Sequence, residues 1–247
     1  MSDFSPELTN KIQIDAKATK QAVDAARVSH HERLQRATRT PLVEYGFSSD
    51  EQRVQGNLSR SFRGLAQQSE GESLGFLHAI EASGVRIIND SKYNEYLRKL
   101  RAERKRFDPN SQETAAAYVT REDLMSFFEK FQGLLPDEVK YELQHAIEGE
   151  HGAIFLGKNP PPLVVWHEGA HAIQHREGWN AKTAGKAKTE VGVNIVLLNA
   201  YEQGLLHDVT AGDYMVTETG FADPIIYPNS GDIYKELEDF ERNRSGL

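Results

Sequence analysis

His167 and His171 stand four residues apart in the stretch VVWHEGAHAIQH, with Glu168 directly after the first histidine. On an α-helix, residues i and i+4 share a face, so the two imidazoles can offer nitrogens to one ion. Zinc takes such nitrogens at about 2.0–2.1 Å, and a helical pair at this spacing spans one edge of a tetrahedron. Glu168 lies about 100° round the helix from His167, so it flanks the ion rather than binding it. From there its carboxylate can take a proton from metal-held water. Gly169 and Ala170 are small enough to leave room beside the ion and to let the helix pack closely on its neighbours. His175 extends the i, i+4 series, and as an ordinary polar residue of the same helix it needs no special role.

A chance HExxH arises somewhere in a chain of this composition about 3% of the time, so its weight depends on a third ligand. Cysteine is absent, which excludes thiolate ligands and the arrangement used by deformylase-like enzymes. The extended metzincin pattern needs a glycine and a histidine where this chain has Gln174 and Glu177. Glu190 follows His171 after eighteen intervening residues, on the next predicted helix. This spacing resembles the gluzincin metallopeptidases, a group that includes thermolysin-like enzymes, large aminopeptidases and clostridial neurotoxin light chains. The resemblance covers about 40 residues, from Gly152 to the end of the second helix. It implies that His167, His171 and Glu190 hold Zn2+, leaving a fourth position open, and that Glu168 is the general base. It also implies a partner role for Asn194, whose side-chain oxygen would accept from an imidazole N–H. The thermolysin pattern has an aspartate there. GAIFLG lacks the methionine, glutamate and asparagine with which the aminopeptidases bind a free amino terminus, so the resemblance favours an internal peptide bond. The layout also resembles small zinc metallopeptidase effectors that pathogenic bacteria inject into host cells: single domains of this size with HExxH late in the chain.

These residues need elements to hold them. GAIFLG, Gly152–Gly157, reads as a short apolar strand, and the prolines of KNPPPL suit the start of the histidine helix, which stops at Gly178. A linker leads to a second apolar helix, TEVGVNIVLLNAYEQG, ending near Gly204. Upstream, Leu74–Ala82 predicts a helix and Val85–Ile88 a strand; residues 120–149 predict two amphipathic helices, the first capped by Thr120. Ile14 to about Arg39 reads as a helical arm with sparse apolar positions, and the polar stretch around residues 45–73 as loops or short helices. The expected fold is α+β and mainly helical: a small zincin-like domain, residues 61–247, with a short antiparallel sheet beside the HExxH helix. Residues 1–60 are expected to form a polar, partly flexible helical arm.

A net charge of −8 opposes general attraction to nucleic acid or an anionic membrane. The basic residues Arg98, Lys99, Arg101, Arg104, Lys105 and Arg106 then read as a solvated helix face. No apolar run approaches the roughly 20 residues that span a bilayer, and the first residues lack the apolar stretch of a cleavable signal. The chain is therefore expected in the cytoplasm, or exported without such a signal. Tyr201, His207, Tyr214 and Tyr227 are candidates for stabilising an oxyanion, none of them singled out. The expected activity is zinc-dependent hydrolysis of an internal peptide bond in a protein or peptide substrate. Two alternatives stand beside it: a non-catalytic binding or structural protein that keeps the helix pair as a packing core, and a zinc hydrolase of a non-peptide amide.

Overall fold

The computed structural model describes residues 41–44, 46–96, 116–133, 135–179 and 186–209. The arm expected over Ile14–Arg39, the basic run Arg98–Arg106, Tyr214 and Tyr227 lie outside the described residues. Among the described residues the order is α1 (Ser49–Gln68), α2 (Ser73–Glu81), β1 (Arg86–Ile88), β2 (Ala116–Val119), α3 (Arg121–Phe131), α4 (Asp137–Ile147), β3 (Ala153–Leu156), α5 (Pro162–Arg176) and α6 (Lys186–Glu202). The chain is mainly helical around one small sheet, as expected of an α+β protein.

The polar stretch expected as loops or short helices forms one long helix, α1. Ser48 and Glu51 close a capping box at its start, which satisfies two backbone amides that a helix end leaves open. Val54, Leu58, Phe62 and Ala66 recur every four residues and are all buried, a narrow apolar stripe diluted in sequence by the polar residues around it. The boundary expected at residue 60 falls inside this continuous helix. Leu58 and Phe62, on either side of it, belong to one core, so α1 is part of the folded unit.

The sheet has the order β1-β3-β2. β2 runs antiparallel to β3, with Tyr118 opposite Ile154, but β1 runs parallel to it, with Ile87 opposite Ile154. The sheet is therefore mixed rather than antiparallel. The physical reason is the connection: the chain leaving β1 passes through β2, α3 and α4 before β3, and such a crossover lets two strands run the same way. β3 is buried along its whole length because both its faces are covered. Ile154 and Leu156 face α1, α2, α5 and α6 in the larger core. Ala153 and Phe155 face α3 and α4 in a second core with Leu124, Val139 and Leu143. The period-2 alternation of a strand thus divides four apolar residues between two layers.

α5 begins with Pro162 in its first turn and ends before Gly178 at φ +95°, a left-handed position that suits glycine. It is buried on most sides: Leu163, Val164, Val165, Trp166, Ala170 and Ile173 are all inside. Phe76 of α2 stacks on Trp166 with ring centroids 4.2 Å apart, and Phe62 of α1 lies 5.6 Å from the same indole. Asp208 completes this corner, accepting from Trp166 Nε1 at 2.9 Å and from the Ser73 amide at 2.8 Å. α6 lies beside α5 and is nearly as buried, with Val193, Val196 and Leu197 in the main core. No helix among the described residues is long and apolar enough to cross a membrane.

Candidate metal centre

The helical repeat of α5 stacks His167 and His171 on one face, with Nε2 atoms 3.0 Å apart. α6 presents Glu190 to them, and its Oε2 lies 3.3 Å from each Nε2. Their side chains are 5%, 13% and 16% exposed in the same order, so water screens the group weakly. Atoms bound at about 2.0–2.1 Å to a tetrahedral ion lie about 3.3–3.4 Å from one another. Two of the three separations match that edge and the third falls slightly short. Among the described residues this is the group of histidine and acid side chains whose donor atoms converge closely enough to hold a metal ion.

Electrostatics point the same way. Burial disfavours charge on His171, but the Glu190 carboxylate beside it and their hydrogen bond outweigh that and push its pKa up to about 9. Burial would likewise raise the Glu190 carboxyl, yet the His171 charge and bonds from both imidazoles hold it well below the usual range. A buried carboxylate between two imidazoles thus draws positive charge into the pocket. A divalent cation on the same three atoms meets that demand without a proton.

Glu168 lies on the adjoining strip of α5, where its Oε2 accepts from the backbone amide of Tyr118 in β2 at 2.7 Å. Burial raises its proton affinity, opposed by the charges of His167 and His171 and by the Tyr118 bond, and the net shift is upward. Sequence reasoning missed Tyr118, which sits fifty residues upstream and contributes a backbone amide that no residue pattern reveals. Its phenol secures the strand, donating to the His151 carbonyl at 2.6 Å and lying 3.0 Å from His175 Nδ1. His175 therefore joins β2 to α5 and stands apart from the donor group.

Gly169 and Ala170 serve the close packing expected of them. A Cβ on Gly169 would collide with Phe76 and Ile80 of α2, and Ala170 is fully buried in the core. Asn194 is fully buried on α6, but no hydrogen bond joins it to His167: both its polar atoms and His167 Nδ1 lack a partner. Glu190 lies against both imidazoles, and Gln174 Oε1 lies 3.4 Å from His171 Nδ1. A glutamine three residues beyond His171 on the same helix was a readable signal for that contact. Tyr201 packs half-buried against the main core. His207 lies over Gly71 between α1 and α2.

Comparison with protein-family models, with curated proteins and with solved structures yields no match.

Proposed function

We propose that this chain is a zinc-dependent metallopeptidase that hydrolyses an internal peptide bond. The observation that carries the reading is the donor triangle of His167, His171 and Glu190, with edges of 3.0, 3.3 and 3.3 Å, beside a second carboxylate one residue away. Three protein donors leave a tetrahedral ion one open position, the pattern of catalytic rather than structural zinc. Histidine and carboxylate donors without cysteine suit zinc among the abundant divalent cations. Bound there, the ion supplies Lewis-acid polarisation of the scissile carbonyl and makes water a stronger acid.

The remaining work falls to the chain's own groups. Glu168 takes the proton of the attacking water and returns it to the departing amine nitrogen. Its upward-shifted proton affinity brings it nearer to both tasks than an ordinary surface carboxylate. The Tyr118 amide fixes the carboxylate through Oε2, so Oε1 is the oxygen assigned to the proton. β2 and α5 together therefore hold the base at a set place relative to the histidines.

Elemental analysis of the purified chain, paired with Glu190→Ala, tests the reading. One zinc per chain is expected in the wild type. Removing one of three ligands should weaken binding by more than the 10–100-fold typical of losing an outer partner. A chelator should abolish cleavage in a peptide library. Full activity in metal-free protein would overturn the proposal, and turnover of small amides but no peptide would redirect it to a non-peptide amide hydrolase.

A further inference from the structure

Gln174 is 1% exposed and lies in the seam between α5 and α6. Its carboxamide has a different partner at each end. Nε2 donates to the Thr189 carbonyl at 3.1 Å, and Oε1 faces His171 Nδ1 at 3.4 Å. The orientation follows from chemistry: a carbonyl can only accept, so the nitrogen end belongs to Thr189 and the oxygen end to the imidazole. His171 must then carry a ring proton on Nδ1, so that Nε2, the nitrogen beside Glu190, is the one that can give up its proton and bind a cation.

Thr189 immediately precedes Glu190. One side chain therefore contacts the back of a histidine from α5 and the backbone beside the carboxylate from α6. The surroundings are shaped to hold it. A Cβ at position 192 would lie 2.8 Å from Gln174 Nε2, so Gly192 is what lets the carboxamide rest against α6. Gln55 of α1 donates to the Gly192 carbonyl at 2.7 Å, and Trp179 Nε1 donates to the Thr189 hydroxyl at 2.9 Å. Three side chains thus grip the turn that carries Glu190, and Gln174 is the one that also reaches a histidine of the triangle.

We infer that Gln174 is a positioning residue of the metal centre: its carboxamide sets the tautomer and ring plane of His171 and ties that ring to the turn bearing Glu190. The inference rests on the metal-binding reading above.

Zinc titration of the full chain against a chromophoric chelator tests it, with wild type, Gln174→Met, Gln174→Glu and Thr189→Val compared. Gln174→Met keeps the length and loses both polar ends; its zinc affinity should fall about 10–100-fold. Gln174→Glu keeps an oxygen toward His171 but loses the donor to the Thr189 carbonyl, so its zinc affinity should fall by less than that of Gln174→Met, although a buried extra charge lowers the stability of its metal-free fold. Thr189→Val removes the Trp179 bond, leaves the carbonyl, and should bind zinc as the wild type does. A packing role alone predicts the reverse order, with methionine tolerated and glutamate worst, and that order would overturn the inference. So would equal affinity in wild type and Gln174→Met. If Gln174→Met does not fold, Gln174→Asn replaces it: its shorter side chain cannot reach both partners, and unchanged affinity there overturns the inference equally. A wild-type chain that takes up no zinc sinks the metal-binding reading itself, a result distinct from wild-type binding that ignores position 174.

Discussion

Consecutive residues of α5 have separate tasks. His167 faces Glu190, Glu168 faces the edge strand β2, and Gly169 faces α2. The 100° step of the helix distributes them, so one turn faces the donor triangle, the sheet and the core at once. Glu168 can therefore be changed without touching the donor triangle. Glu168→Gln keeps an oxygen to accept from Tyr118 but cannot take a proton. It should retain wild-type zinc content by elemental analysis while peptide cleavage falls by at least about 10²–10⁴-fold. Cleavage at the wild-type rate in a folded, zinc-loaded Glu168→Gln would remove Glu168 from the mechanism.

Among the elements, α5 and α2 approach closely because position 169 has no side chain. Gly169→Ala should lower the unfolding free energy by about 1–3 kcal/mol through overpacking against Phe76 and Ile80. Gly56→Ala in α1, where a Cβ meets nothing within 4 Å, should instead stabilise by about 0.5–1 kcal/mol. Urea denaturation of both variants checks the pair, and equal signs would contradict the packing account. The start of α1 is pH-sensitive in a definite direction. Burial works against the Glu51 carboxylate, but the Ser48 amide, Lys188 and the Ser48 hydroxyl together hold its pKa below the ordinary 4.5. A carboxyl depressed by folding adds stability above its unfolded pKa and loses it as the pH falls through the folded value. Glu51→Gln should thus lower stability at pH 7, modestly, because solvent screens much of the charge. The gap from wild type should close in acid below pH 4.5, the ordinary value. A gap that persists unchanged through acid would mean that Glu51 contributes by packing, not by charge.

For the whole molecule, α5 and α6 are the two helices that the donor triangle spans, and both belong to the main core. An ion that binds the folded chain and not the unfolded one stabilises it by mass action, about 4 kcal/mol at a thousandfold excess over the dissociation constant. Zinc should therefore raise the thermal midpoint by several degrees in the wild type, and the rise should vanish in Glu190→Ala. Differential scanning calorimetry with and without a chelator measures both. A midpoint indifferent to zinc in the wild type would count against a metal site at this seam.

The sequence alone made the histidine pair and Glu168 readable, because i, i+4 stacking is a property of one helix and needs no partner. It also marked the GAIFLG strand and the ends of α5, where proline and glycine act on the local backbone. The helix α1 was hidden in it, since five apolar residues in twenty stand out only when a core faces them. Tertiary structure alone decided the direction of β1, the bond from the Tyr118 amide to Glu168 and the packing duty of Gly169. It also decided how far Glu190 lies from the imidazoles. Periodicity belongs to a single element and is written in residue spacing. Distances between elements are set by how their side chains fill the space between them, as Phe76 against Gly169 and Gln174 against Gly192 do here.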